Sequence, residues 1–278
     1  MSLVLEHKDA IAEFNFALTK LQTEVYNNGE PKTDNDWKNI IFCSLYEGFT
    51  SGFSIIDNDN IEFQTENEEM ITKHIKEWLN QNLFLQTYFK DSSFIINYDV
   101  RNDSKLYEGY YDLIIQHSKW RKNYKELKKF IFECKCLNNT KNSNSIKEYI
   151  HNPNKKRAKY TDFQDGGVFR FAINKYSENL DFGGMIGYIQ DGNCQKTIQE
   201  IKEKLSNTEM NFKGVKTGQL TKNKIEDNIN NNSFIFNSTH KRYDESKLKF
   251  IEPILIHHIF FDFTYSTNKH LNIFKNFN

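Results

Sequence analysis

The sequence predicts an α/β fold in which a mixed central sheet is flanked by helices and preceded by a helical extension. Three observations lead there. Apolar residues recur at helical spacing through about the first 80 positions, three short β-rich runs then follow one another between residues 94 and 137, and helix-like and strand-like segments alternate after them. Only 3 prolines occur in 278 residues, so no rigid linker divides the chain. It reads as a single domain with an extension over residues 1–62, a core over 63–195 and a C-terminal segment over 196–278 that completes the sheet.

The elements follow in order. LEHKDAIAEFNFALTKLQTEVYNN sets Leu5, Ile11, Phe14, Leu18, Leu21 and Val25 on one helical face, and DWKNIIFCSLYEGFTSGFSII continues as a more apolar second helix. TENEEMITKHIKEWLNQ has Thr65 and Glu68 at capping-box spacing, with Met70, Ile71, Ile75, Trp78 and Leu79 as its apolar stripe. FIINYDV, YYDLIIQ and KFIFECKCL read as three adjacent strands. A Lys- and Asn-rich segment leads to KYTDFQDGGVFRFAINKYS, expected to be one helix interrupted near its start by Gly166 and Gly167. The strand GGMIGYIQDG and the helix TIQEIKEKL come next. An Asn-rich connection reaches about residue 232, and SFIFNSTH and PILIHHIFFDFTY supply the last two strands.

Composition narrows the function. With 38% hydrophobic and 15% aromatic residues the chain can bury a core, and no run of about 18 apolar residues is present, so a soluble cytoplasmic protein without a membrane partner is expected. Four cysteines are too few for a disulfide framework, and Cys134 and Cys136 lack zinc-knuckle spacing. The 37 basic and 37 acidic residues balance, but residues 117–160 hold 13 Lys and Arg against 3 acids. Such a block concentrates polyanions, or else is a solvated loop. No HExxH, P-loop, GxSxG or dinucleotide glycine pattern is present.

The chemistry gathers on two strands. Glu-x-Lys begins at six places, yet only at Glu133 does it lie inside an apolar β run, where an acid and a lysine need compensation. Alternation puts Glu133 and Lys135 on one face and Cys134 on the other. Asp112, in the preceding strand, meets Glu133 if the two strands pair as a hairpin. The 20 intervening residues would then form a long basic excursion. Two carboxylates on neighbouring strands suit a hard divalent cation such as Mg2+, and a lysine beside them can orient water or offset charge on a phosphate. A structural Glu133–Lys135 pair on a sheet face is the alternative.

YYDLIIQ followed by FIFECK resembles the Asp and Glu-x-Lys core of the PD-(D/E)XK, or restriction-endonuclease-like, nuclease superfamily, over roughly residues 65–192. Tyr111 stands where that pattern often has proline. The resemblance implies an αβββαβ core and phosphodiester hydrolysis with Mg2+, for which Mn2+ substitutes. Asp112, Glu133 and the Cys134 carbonyl would be metal ligands and Lys135 the catalytic lysine. A glutamate from the preceding helix is also implied. Glu66, Glu68 and Glu69 compete for that place, with Glu68 favoured beside the apolar stripe.

The helix after the strands would line a substrate groove, with Lys159, Arg170 and Lys175 on phosphates and Gln164 and Tyr160 as weaker contacts. The expected partner is nucleic acid, DNA ahead of RNA, in restriction or phage defence. A catalytically inactive binding module of the same fold is the alternative, and a homodimer through the N-terminal arm is conceivable. His240, His257 and His258 suggest either a zinc or general-base site or hydrogen-bonded sheet residues.

Overall fold

Residues 182–189, FGGMIGYI, carry no charge and offer almost nothing polar to water, which suits a strand covered on both faces. The structure, a computed structural model, buries all eight of them at the centre of a seven-stranded sheet. It describes residues 33–38, 40, 41, 45, 67–81, 94–101, 110–122, 126–138, 144–157, 160–177, 180–207, 224–227, 235–244 and 247–262. Most of the N-terminal extension and most of the Asn-rich connection before residue 232 lie outside the described residues.

The elements run α1 (Glu68–Gln81), β1 (Phe94–Arg101), β2 (Tyr110–Arg121), β3 (Leu127–Leu137), α2 (Ser145–Tyr149), β4 (Asn152–Arg157) and β5 (Tyr160–Asp165). They continue with α3 (Gly167–Ala172), β6 (Phe182–Ile189), α4 (Cys194–Asn207), β7 (Lys224–Asp227), β8 (Ile235–Asp244) and β9 (Lys249–Asp262). The sheet order is β1-β2-β3-β6-β9-β8-β7. Strands β3, β6 and β9 are parallel, and the pairs on either side of them are antiparallel. The protein is therefore α/β with a mixed sheet, and the C-terminal strands do complete it.

Helices cover both faces. Trp37, Ile40, Ile71 and Leu79 pack with Leu113, Phe132, Cys134 and Ile186 on one side. Ile146, Tyr149, Phe169, Phe171, Ile198 and Ile201 pack with Ile131 and Met185 on the other. Close packing explains Gly184: a Cβ there would lie 2.2 Å from the ring of Phe132, its neighbour across the parallel ladder. Among the described residues no helix is long and apolar enough to cross a membrane.

Three local expectations are corrected. Helix α1 begins at Glu68, and its cap is Asn67, whose Oδ1 accepts the Met70 N–H at 2.9 Å; Thr65 lies outside the described residues. The basic excursion between the second and third strands shrinks to a turn, because β2 continues to Arg121 and pairs there with Leu127 across an irregularity that begins after Gln116. KYTDFQDGGVFRFAINKYS is not one helix. Residues Tyr160–Asp165 form β5, which pairs with β4 as a separate two-stranded hairpin, and the helix is only Gly167–Ala172. Gly166 makes the break with φ 130°, where a Cβ would meet the Ile150 carbonyl oxygen at 2.6 Å.

His240 and His258 are hydrogen-bonded sheet residues, whereas neither ring nitrogen of the buried His257 has a hydrogen-bond partner. The Ser238 hydroxyl lies between His240 Nε2 at 2.5 Å and His258 Nε2 at 2.6 Å, and His258 Nδ1 meets the Tyr149 hydroxyl at 2.9 Å. Burial pushes His240 and His257 down to about 3, and burial with its histidine neighbours pushes His258 well below the ordinary value.

These neutral rings contribute stability that is complete above the unfolded value near 6.5 and is lost as pH falls toward the folded value. Between pH 7 and pH 5 the loss is on the order of 2 kcal/mol per histidine. Thermal melts should show a steep fall in Tm over that range, larger than any opposite trend from a single carboxyl. A flat profile would contradict burial of the neutral rings.

Candidate active site

The ladder of β2 and β3 pairs Leu113 with Phe132, so one residue further along Asp112 stands opposite Glu133. Asp112 is tied down by the backbone: its Oδ2 accepts the Cys134 N–H at 2.6 Å. Alternation along β3 then acts as expected. Cys134 joins the core beneath α1, while Glu133 and Lys135 project to the other face.

Helix α1 brings the third carboxylate. Ile71 and Leu79 seat it on the sheet, and the Thr72 hydroxyl, which donates to the Glu68 carbonyl, also bonds the Tyr188 hydroxyl of β6 at 2.9 Å. This docking places Glu68 Oε1 2.7 Å from Lys135 Nζ. The same ammonium is 2.9 Å from Glu133 Oε1 and 3.6 Å from Asp112 Oδ2, and it also donates to the Cys134 carbonyl. Lys135 is thus the point on which Glu68, Asp112, Glu133 and the Cys134 carbonyl converge. An open cleft of about 120 Å³ lies beside it, lined by Glu68, Glu69, Thr72, Tyr98 and Asp112.

Arg170 closes the cluster from α3. Its Nη1 donates to Glu133 Oε1 and, at 2.9 Å, to the Tyr176 hydroxyl, which in turn donates to the Tyr110 carbonyl at 2.6 Å. Its Nε and Nη2 grip Asp165 at 2.7 and 3.1 Å. Glu133 is fully buried, and its second oxygen, Oε2, has no hydrogen-bond partner.

Electrostatics separate the two strand carboxylates. Burial, followed by the charges of Glu133 and Glu68, drives the Asp112 carboxyl well above the usual range, against the pull of Lys135 and the Cys134 N–H. Burial alone would raise Glu133 too, but Arg170 and Lys135 outweigh it and hold that carboxyl below its ordinary value. Lys135 keeps its proton despite burial because Glu133, Asp112 and Glu68 surround it.

The expected site residues fare differently. Asp112, Glu133, Cys134, Lys135 and Glu68 come together; Glu69 lines the cleft, and Glu66 lies outside the described residues. Arg170 is in the site but bonded to carboxylates, not facing open solvent. Lys175 is half-buried just after α3, Lys159 lies outside the described residues, and Gln164 is in β5, where only its backbone is described. Lys119, Arg121 and Lys122 are exposed, but they lie at or just beyond the far end of β2, seven or more residues along the chain from Asp112, and none lines the cleft. They do not share the Asp112 cleft. Sequence reasoning missed Asp165 and Tyr176 as partners of Arg170, since Asp165 becomes a neighbour only once β5 is known to be a strand.

Among the described residues no three His, Cys, Asp or Glu side chains form a ready-made metal cage. A Mg2+ site needs less: one or two carboxylates, with waters and substrate oxygens completing the shell. Asp112, the Oε2 of Glu133, which has no hydrogen-bond partner, and the Cys134 carbonyl, which accepts from Lys135, are oxygens of the kind such a site uses. Comparison with protein-family models, with curated proteins and with solved structures gives no match.

Asp112 is the carboxylate whose burial is least compensated. Asp112→Asn keeps an oxygen for the Cys134 N–H and removes that charge, so in EDTA the variant should be more stable than the parent by roughly 0.5–2 kcal/mol. Urea unfolding at pH 7 measures it. Equal or lower stability would mean that the charge is already balanced.

Proposed function

We propose that the protein is a metal-dependent nuclease of the PD-(D/E)XK type, hydrolysing phosphodiester bonds in nucleic acid, with DNA the first candidate. The observation that carries this reading is the convergence of Glu68, Asp112 and Glu133 on Lys135 beside an open cleft. The element order supports it as well: α1, three antiparallel strands and, after the insertion of α2 and the β4–β5 hairpin, α3 and β6 running parallel to β3, with the Asp and Glu-x-Lys residues on β2 and β3.

Asp112, Glu133 and the Cys134 carbonyl would hold a Mg2+ or Mn2+ ion, which when bound supplies Lewis-acid polarisation of a phosphoryl oxygen. The remaining work belongs to the chain. The carboxylates around Lys135 favour its ammonium form, so it would act as a donor to an incoming or phosphoryl oxygen and as a counter-charge. Glu68, one-third exposed at the start of α1, lines the cleft while its Oε1 meets Lys135, and is the carboxylate to orient water at the mouth. Lys155, Lys156 and Arg157 lie in the β4–β5 hairpin, whose last residue, Asp165, touches the site through Arg170. That hairpin is the part of the basic block best placed to meet a polyanion.

Purified protein incubated with plasmid, single-stranded DNA and RNA, in Mg2+ or in EDTA, tests the activity and separates DNA from RNA. Lys135→Ala should lower the cleavage rate roughly a hundredfold or more while leaving nucleic-acid affinity within a few-fold. Unchanged turnover would remove Lys135 from the mechanism. Binding without cleavage by the parent would favour a catalytically silent module of the same architecture, involved in defence or otherwise.

A further inference from the structure

Arg170 has little left to offer a substrate. Its Nε and Nη2 are taken by the two oxygens of Asp165, and its Nη1 by Glu133 and Tyr176. A guanidinium in a rigid fork, gripped on one side by a carboxylate, has a fixed plane. Glu133 is the group fixed by that plane, since its Oε1 receives both Arg170 and Lys135 while its Oε2, equally buried, receives nothing. A buried oxygen left bare is expensive unless something positive completes it. Gathering four carboxylates, Glu133 and Asp165 of them buried, around two cations is also a poor way to gain stability compared with apolar packing.

We propose that Arg170, held by Asp165, is a positioning residue: it saturates Oε1 of Glu133 so that Oε2 alone is presented to a divalent cation. Arg170 accordingly makes no phosphate contact. The proposal rests on the nuclease reading and assigns a role within that site. It also explains why the hairpin ends in an acid, because Asp165 is the anchor that keeps the fork from turning toward the cleft.

The test uses the full chain with Arg170→Gln, Arg170→Lys and Asp165→Asn. Mn2+ binding is followed by titration calorimetry without nucleic acid, duplex binding by anisotropy at several salt concentrations in EDTA, and cleavage by steady-state kinetics. Arg170→Gln should weaken Mn2+ binding about 10- to 100-fold and lower kcat, leaving KM and the salt slope of duplex binding unchanged. Arg170→Lys should recover part of the Mn2+ affinity, and Asp165→Asn should fall between the parent and Arg170→Gln.

Folded variants with parental Mn2+ affinity would make Arg170 merely structural and overturn the proposal. So would unchanged Mn2+ affinity with weaker duplex binding and a flatter salt slope, which is the signature of a phosphate contact. If Arg170→Gln does not fold, Arg170→Lys and Asp165→Asn decide by the same readouts. A parent that binds no Mn2+ and cuts nothing overturns the nuclease reading and this proposal together. A parent that binds and cuts, alongside variants that match it, overturns this proposal alone.

Discussion

One ammonium group holds the site together. Lys135 Nζ lies within 3.6 Å of oxygens from Glu68, Asp112 and Glu133, which come from a helix and two strands. Without it, three carboxylates would face one another across a poorly solvated gap. With it and Arg170, Glu133 is balanced, and the remaining strain falls on Asp112. The arrangement carries more acid than two cations can neutralise, since Asp165 is part of it too. A structure selected for stability alone would not keep that imbalance, because burial penalises each unpaired charge by several kcal/mol. The imbalance is carried by Asp112, whose carboxyl is driven well above the usual range.

The geometry of the sheet makes the cluster possible. Antiparallel pairing of β2 with β3 sets Asp112 opposite Glu133, and parallel pairing of β3 with β6 buries the back of the same strand. Gly183, Gly184 and Gly187 let the rings of Phe171, Phe132 and Phe260 lie against β6, which keeps both helical layers close to the sheet. The Thr72–Tyr188 bond then fixes α1 at the height where Glu68 reaches Lys135.

Much of this was legible because charge is conspicuous in an apolar strand. Asp112 in YYDLII and Glu133 and Lys135 in FIFECK stand out by context, and alternation alone separates Cys134 from them. Glu68 was legible by its place at the head of an amphipathic helix. The hairpin of β4 and β5 was not, for NPNKKR and YTDFQD offer no sustained apolar alternation, and the helix begins only after the break at Gly166. Arg170 was read as a phosphate contact for the same reason, since its partner Asp165 sits at the end of that unrecognised strand. The basic residues around Lys119 were misread as a loop because their strand is irregular there, and Trp120, buried between them, is the residue that should have marked it.

Synthesis order gives the parallel centre of the sheet a temporal meaning. Every member of the ionic cluster has been made once residue 176 is reached, yet β6 lacks its second neighbour until β9, which begins at Lys249, has followed. Parallel pairs joined across such long stretches of chain form slowly. A growing chain therefore holds the acids and the lysine, on α1 and the β2–β3 pair, well before β9 arrives to complete the parallel centre of the sheet. The cluster is thus complete in sequence long before the fold around it is, and the packing behind it waits on the last long strand.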